Sequence, residues 1–171
     1  MHCERPSAST MIRMSVAHLG VDRSTNSPVV VLREVGGERS LPIWIGTNEA
    51  NAIAMELQGI KAERPMTHDL LRNLIAGMGC ELRRVQITDL RDDTYFAELL
   101  IVRGEEVIQV DARPSDSIAL ALRCNAPIFT TDALLDRAET PASAQEQTTD
   151  PDALRRYLEK LDPQDFGRFS P

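Results

Sequence analysis

Apolar residues between positions 12 and 45 fall into three strand-like groups. The first spans 12–22 and carries Val16, Leu19 and Val21; the second, 28–35, holds the unbroken run Val29-Val30-Val31-Leu32; the third is 41–45. Asp22 to Pro28 and Gly36-Gly37 separate them with turn-forming residues, so the spacing predicts an antiparallel meander. The periodicity then becomes helical. Ala50, Ile53, Ala54 and Leu57 share one face of a helix predicted over 49–58, and Gly59 sits at its expected stop. Beyond Pro65, Thr67 is a suitable N-cap for a helix over 68–78, whose apolar stripe is Leu70, Leu71, Leu74, Ile75 and Met78.

The same order then recurs. Strands are predicted over 81–90, 95–102 and 107–110 and a helix over 115–123. Pro127 is read as a break, and Thr131 as the cap of a short helix through Leu134 and Leu135. The repetition is close in the residues themselves: Ile45–Leu57 reads like Val110–Leu122, 65 residues on (110 − 45). The predicted fold is therefore α+β, a duplicated β-β-β-α-α unit with helices packed on a mainly antiparallel sheet. Residues 12–138 form this domain. Residues 1–11 read as a disordered leader and 139–151 as a polar linker. Over 152–171, Leu154, Tyr157, Leu158 and Leu161 recur at helical spacing and predict an amphipathic C-terminal helix.

Composition narrows the classes of function. A hydrophobic content of 42% and a charged content of 26% suit a globular domain, and no apolar run reaches the roughly 20 residues of a membrane helix. The N-terminus lacks the apolar core of a secretion signal, so a cytoplasmic location is expected and no membrane partner. Cys3, Cys80 and Cys124 are too widely separated to suggest a zinc site or a disulfide framework. A net charge of −7 argues against broad, nonspecific nucleic-acid binding, so such a partner would need a specific site.

Several segments carry a resemblance. Leu41-Pro42-Ile43-Trp44-Ile45-Gly46 followed by Glu49-Ala50, then Arg64-Pro65-Met66-Thr67-His68-Asp69-Leu70-Leu71, Ile87-Thr88-Asp89-Leu90 and above all Asp111-Ala112-Arg113-Pro114-Ser115-Asp116-Ser117 resemble, in this order, the bifunctional nuclease domain family. The resemblance covers about residues 12–138. It implies an association with DNase and RNase activity and hence DNA or RNA as a partner.

Hydrolysis of a phosphodiester requires an activated water and stabilisation of charge at phosphorus. Carboxylates holding Mg²⁺ or Mn²⁺ supply both, Arg clamps phosphate and His moves protons. Glu49 and Asp116 fall in the first turns of the two equivalent helices, and Asp111 ends a strand. If the duplicated corners meet, Glu49, Asp111 and Asp116 are the expected metal-binding and water-activating carboxylates. Arg113 and Ser115 are then the phosphate-binding residues, His68 is a proton carrier, and the two helix N-termini add amide donors.

Each residue also has a plain structural reading. Ser115 and Asp116 suit a helix cap or a charge–dipole contact, as does Glu49. Asp111 and Arg113 suit an ion pair, and His68 and Asp69 an exposed helix start. Trp44 suits core or subunit-interface packing rather than a base-stacking platform. The competing function is thus a non-catalytic, oligomeric module that recognises a small anion or a protein partner. Homo-oligomerisation is expected either way, because Trp44, Tyr95, Phe96 and the C-terminal stripe offer more apolar surface than a small two-layer domain hides.

Overall fold

The computed structural model describes residues 10–138; the linker and C-terminal helix expected from the sequence, and all but the end of the leader, lie outside them. The chain runs β1 (Met11–Val21), β2 (Pro28–Glu34), β3 (Ser40–Trp44), α1 (Thr47–Leu57), α2 (Thr67–Gly77), β4 (Glu81–Arg91), β5 (Thr94–Arg103), β6 (Glu106–Ala112), α3 (Pro114–Cys124), β7 (Ile128–Thr131) and α4 (Asp132–Ala138). One seven-stranded sheet in the order β3-β2-β1-β7-β4-β5-β6 carries the four helices, an α+β architecture.

Local chemistry sets the hairpins. The Asp22 carboxylate accepts hydrogen bonds from the Ser24 amide (2.8 Å) and hydroxyl (2.7 Å), closing the β1–β2 turn in the Asx manner. Between β4 and β5 only Asp92 and Asp93 intervene. Both have positive φ (47° and 58°), the tight hairpin turn whose twist matches that of the strands.

Two meanders, β1-β2-β3 and β4-β5-β6, flank a central strand that the sequence reading leaves out. β7 is antiparallel to β1 and parallel to β4. It is only four residues long and follows Pro127, too short for alternation to show. Its place is fixed by tertiary contacts. The Val85 amide donates to the Pro127 carbonyl (3.0 Å), and the buried Thr130 hydroxyl donates to the Ile87 carbonyl (3.1 Å). The second unit is therefore β-β-β-α-β-α, and Thr131 does cap α4 through its Oγ1, which accepts from the Leu134 amide (3.2 Å).

The core lies between sheet and helices. Leu32 and Leu41 from the first meander, Ile87 from the second, Ile53 of α1 and Ile118 of α3 are fully buried. Small residues, Ala50 and Ala54 on α1 and Ala119 and Ala121 on α3, are buried, and the two helices pack together. That packing joins the two duplicated corners, because α1 follows one edge strand and α3 the other. Helix α2 departs from expectation. Ile75 packs on the core, but Leu70, Leu71, Leu74 and Met78 are exposed. Among the described residues no helix is long and apolar enough to cross a membrane.

Candidate active site

Both corners turn from strand to helix without a side-chain cap. Gly46 is the N-cap of α1 and Arg113 that of α3, each in extended backbone, and neither caps its helix with a side-chain hydrogen bond. Pro114 occupies the first helical position of α3, where its fixed φ fits and its missing N–H costs nothing. The Arg113 side chain is thereby free to reach across. Its Nε donates to Asp116 Oδ2 (2.7 Å) and its Nη2 to Glu49 Oε1 (2.6 Å). Gly46 makes room for this: a β-carbon there would strike the Glu49 carboxylate, which folds back over the corner.

Asp116 has a second partner. His68, at the start of α2, places Nε2 2.9 Å from Asp116 Oδ1. Its side chain is not the exposed helix start that one reading of the sequence offered; the residue is only 8% exposed. Partial burial raises the Asp116 pKa, but the hydrogen bonds and charges of Arg113 and His68 outweigh this and hold it below the ordinary carboxylate range. Asp116 is thus ionised, so His68 presents Nε2–H to it, and Nδ1 is the ring nitrogen left for other chemistry.

A residue without a role in the sequence reading locks this arrangement. Arg123, in the last turn of α3, donates from Nε to Asp69 Oδ1 (2.9 Å), from Nη1 to the Ala119 carbonyl (2.9 Å) and from Nη2 to the Ala52 carbonyl of α1 (2.9 Å). Its side chain is 3% exposed. Asp69 in turn accepts from the Met66 amide (3.0 Å), so Met66 rather than Thr67 is the N-cap residue of α2. One buried guanidinium therefore ties together α1, α2 and α3, next to His68. A basic residue in a last helical turn was the available signal, and it says nothing of a partner 54 residues away.

The expected residues divide as follows. Glu49, His68, Arg113 and Asp116 come together. Ser115 caps nothing; it is 7% exposed and faces a cleft beside Arg113. Asp111 stands apart, exposed on edge strand β6 and in register with Glu98. Trp44 is no core residue: its alternation with the buried Ile43 leaves it 41% exposed, its indole N–H donating to Asp22 Oδ2 (2.9 Å).

Glu49 and Asp116 do converge on a single cation, but that cation is the Arg113 guanidinium. A divalent ion in its place would require the guanidinium to leave both carboxylates. Among the described residues no three His, Cys, Asp or Glu side chains gather in a way that could hold a metal. The donor set as folded does not fit a resident Mg²⁺ or Mn²⁺. What it offers is an oriented imidazole, an exposed guanidinium with donors to spare, and two uncapped helix N-termini that favour an anion.

Sequence comparison places these corners in a wider group. The profile of the Bifunctional nuclease domain matches residues 30–143. An uncharacterized protein of Mycobacterium tuberculosis is 41% identical over 164 residues, covering 91% of this chain and 98% of its own length. Bifunctional nuclease 1 of Oryza sativa subsp. indica is 30% identical over 110 residues, and Bifunctional nuclease 2 of Arabidopsis thaliana 29% over 106. These matches span 63% and 60% of this chain but only 33% and 32% of the plant proteins. The chain belongs to the bifunctional nuclease domain family.

Proposed function

We propose that this protein hydrolyses phosphodiester bonds of DNA or RNA at the joined corners, with His68 as general base. The observation that carries the proposal is the run His68–Asp116–Arg113. A carboxylate kept ionised by the guanidinium orients the imidazole, while the guanidinium itself remains open to solvent. In this reading a water attacks phosphorus, its proton passes to His68 Nδ1, and the bond to the leaving oxygen breaks, that oxygen taking its proton from solvent water. Arg113, the Ser115 hydroxyl and the first-turn amides of α1 and α3 hold the non-bridging oxygens. Asp116→Asn removes the charge that orients His68, and it should lower cleavage by about 10²–10⁴-fold.

The Mg²⁺ or Mn²⁺ expected from the sequence belongs to a variant of the proposal in which Glu49 and Asp116, once released by Arg113, would hold the ion, which would supply charge stabilisation and an activated water. Arg113→Met separates the two. It abolishes cleavage if Arg113 clamps phosphate. It leaves or raises Mn²⁺-dependent cleavage if it merely vacates a metal position. The full pairing of Glu49 and Asp116 with Arg113 also favours a second reading, a non-catalytic module that binds an anion. Purified chain that binds a nucleic-acid strand but never cuts it, with or without added Mn²⁺, would establish that reading instead.

We further propose that the chain is a cytoplasmic homo-oligomer. Among the described residues Cys80 and Cys124 are free thiols, which supports the location, and the exposed Leu70, Leu71, Leu74 and Met78 on α2 support self-association.

A further inference from the structure

Beside Arg113 the two halves of the domain enclose a cleft of about 380 Å³. Its volume lies in the range of small-molecule sites, roughly 300–1,000 Å³. Trp44 and Ile45 line it from the first corner, Tyr95 from the start of β5, and Arg113 and Ser115 from the second corner. Tyr95 packs partly against the core, whereas Trp44 stands largely outside it, and both reach the cleft beside the Arg113 guanidinium. Trp44 is 41% exposed, and its indole N–H donates to Asp22 at the ring edge, a bond that does not occupy the ring faces. Ser115 opens onto the cleft nearly buried, and among the described residues its hydroxyl has no side-chain partner. Arg113 uses two of its five N–H donors on Glu49 and Asp116. One acidic side chain, Asp93, also faces the space and disfavours a bare multivalent anion there. A flat, uncharged ring attached to a single phosphate meets all of these conditions.

We propose that this cleft is a nucleobase subsite: an unpaired base lies against Trp44 and Tyr95 while Arg113 and Ser115 hold its phosphate. This rests on the hydrolytic reading and names its substrate class as single-stranded nucleic acid. A base within a duplex is stacked and paired and reaches such a cleft only after extrusion. Stacking on an aromatic wall is tolerant of base identity, since every base has a π face, so the subsite predicts weak sequence preference.

Trp44 is the single tryptophan of the chain, so its emission reports on the cleft without any substitution there. A short single-stranded oligonucleotide is titrated into the full chain carrying His68→Asn, which prevents turnover. Saturable quenching of Trp44 emission is expected, with about tenfold or greater weakening for the matching duplex. Trp44→Leu and Tyr95→Leu should each weaken binding of a dye-labelled strand, read by anisotropy, by about tenfold. An unchanged Trp44 emission while the labelled strand binds would overturn the subsite, as would the absence of any binding. The hydrolytic reading fails separately. If wild-type chain cuts the strand but Trp44 is silent, hydrolysis stands without this subsite. If Trp44 is quenched and nothing is cut, the subsite stands without hydrolysis.

Discussion

Arg113 and Glu49 are 64 residues apart in the chain and 2.6 Å apart in the fold. They belong to equivalent corners of the two duplicated units, and their contact makes one site of two half-sites. Gly46 permits it. Its φ of −76° is ordinary, so alanine suits the backbone there, and only the Glu49 carboxylate is in the way. Gly46→Ala should therefore leave the fold intact and displace Glu49 from Arg113. An exposed-side ion pair is worth at most about 1 kcal/mol. A denaturation midpoint close to wild type is expected, with a fall in cleavage of no more than about 5–10-fold.

Arg123 predicts the opposite pattern. Its guanidinium is buried and holds carbonyls of α1 and α3 as well as Asp69. Arg123→Met leaves Asp69 without its buried partner, and breaking a pair of this kind costs about 3–5 kcal/mol. Urea unfolding should show a loss of that size. A loss below about 1 kcal/mol would mean that the guanidinium does not organise the helices.

The contrast between Arg113 and Arg123 shows what the sequence could tell. The corner around Arg113 was legible because it is local: a strand end, a proline at the first helical position and an acid in the first turn lie within six residues. The duplication made a second such corner visible, and the meanders followed from strand period and turn chemistry. The pairing of His68 with Asp116 spans 48 residues and that of Arg123 with Asp69 spans 54, and no local pattern encodes either. Strand β7 escaped for the same reason, since its four residues are a strand only because β1 and β4 lie on either side. The apolar stripe on α2 is plain in the sequence, but periodicity does not say what an apolar face meets.

Acid should expose the carboxylates. Asp69 is raised by partial burial but pulled down further by the Met66 amide and Arg123; Asp116 is likewise held low by Arg113 and His68. Both are depressed in the folded state. Their contribution to stability is thus fully present above the ordinary aspartate value of about 3.9 and is lost as pH falls through the lower folded values. Denaturation midpoints should decline below about pH 4, and Asp116→Asn should flatten part of that decline. A midpoint for the variant that follows the wild-type curve throughout would show that Asp116 gains nothing from its partners.

The exposed face of α2 predicts an assembly. Leu71→Glu with Leu74→Glu places two charges on a surface that is otherwise apolar. Sedimentation should show wild-type chain as an oligomer and the double variant as a monomer. Equal masses for the two would assign the face another role.

The most direct test of the joined-corner site is cleavage of a single-stranded substrate by wild-type chain and by His68→Asn, purified side by side under single-turnover conditions. Hydrolysis by the wild type with a loss of about 10²-fold or more in the variant, at unchanged fold and strand affinity, is the predicted result. Equal rates in the two proteins would contradict it.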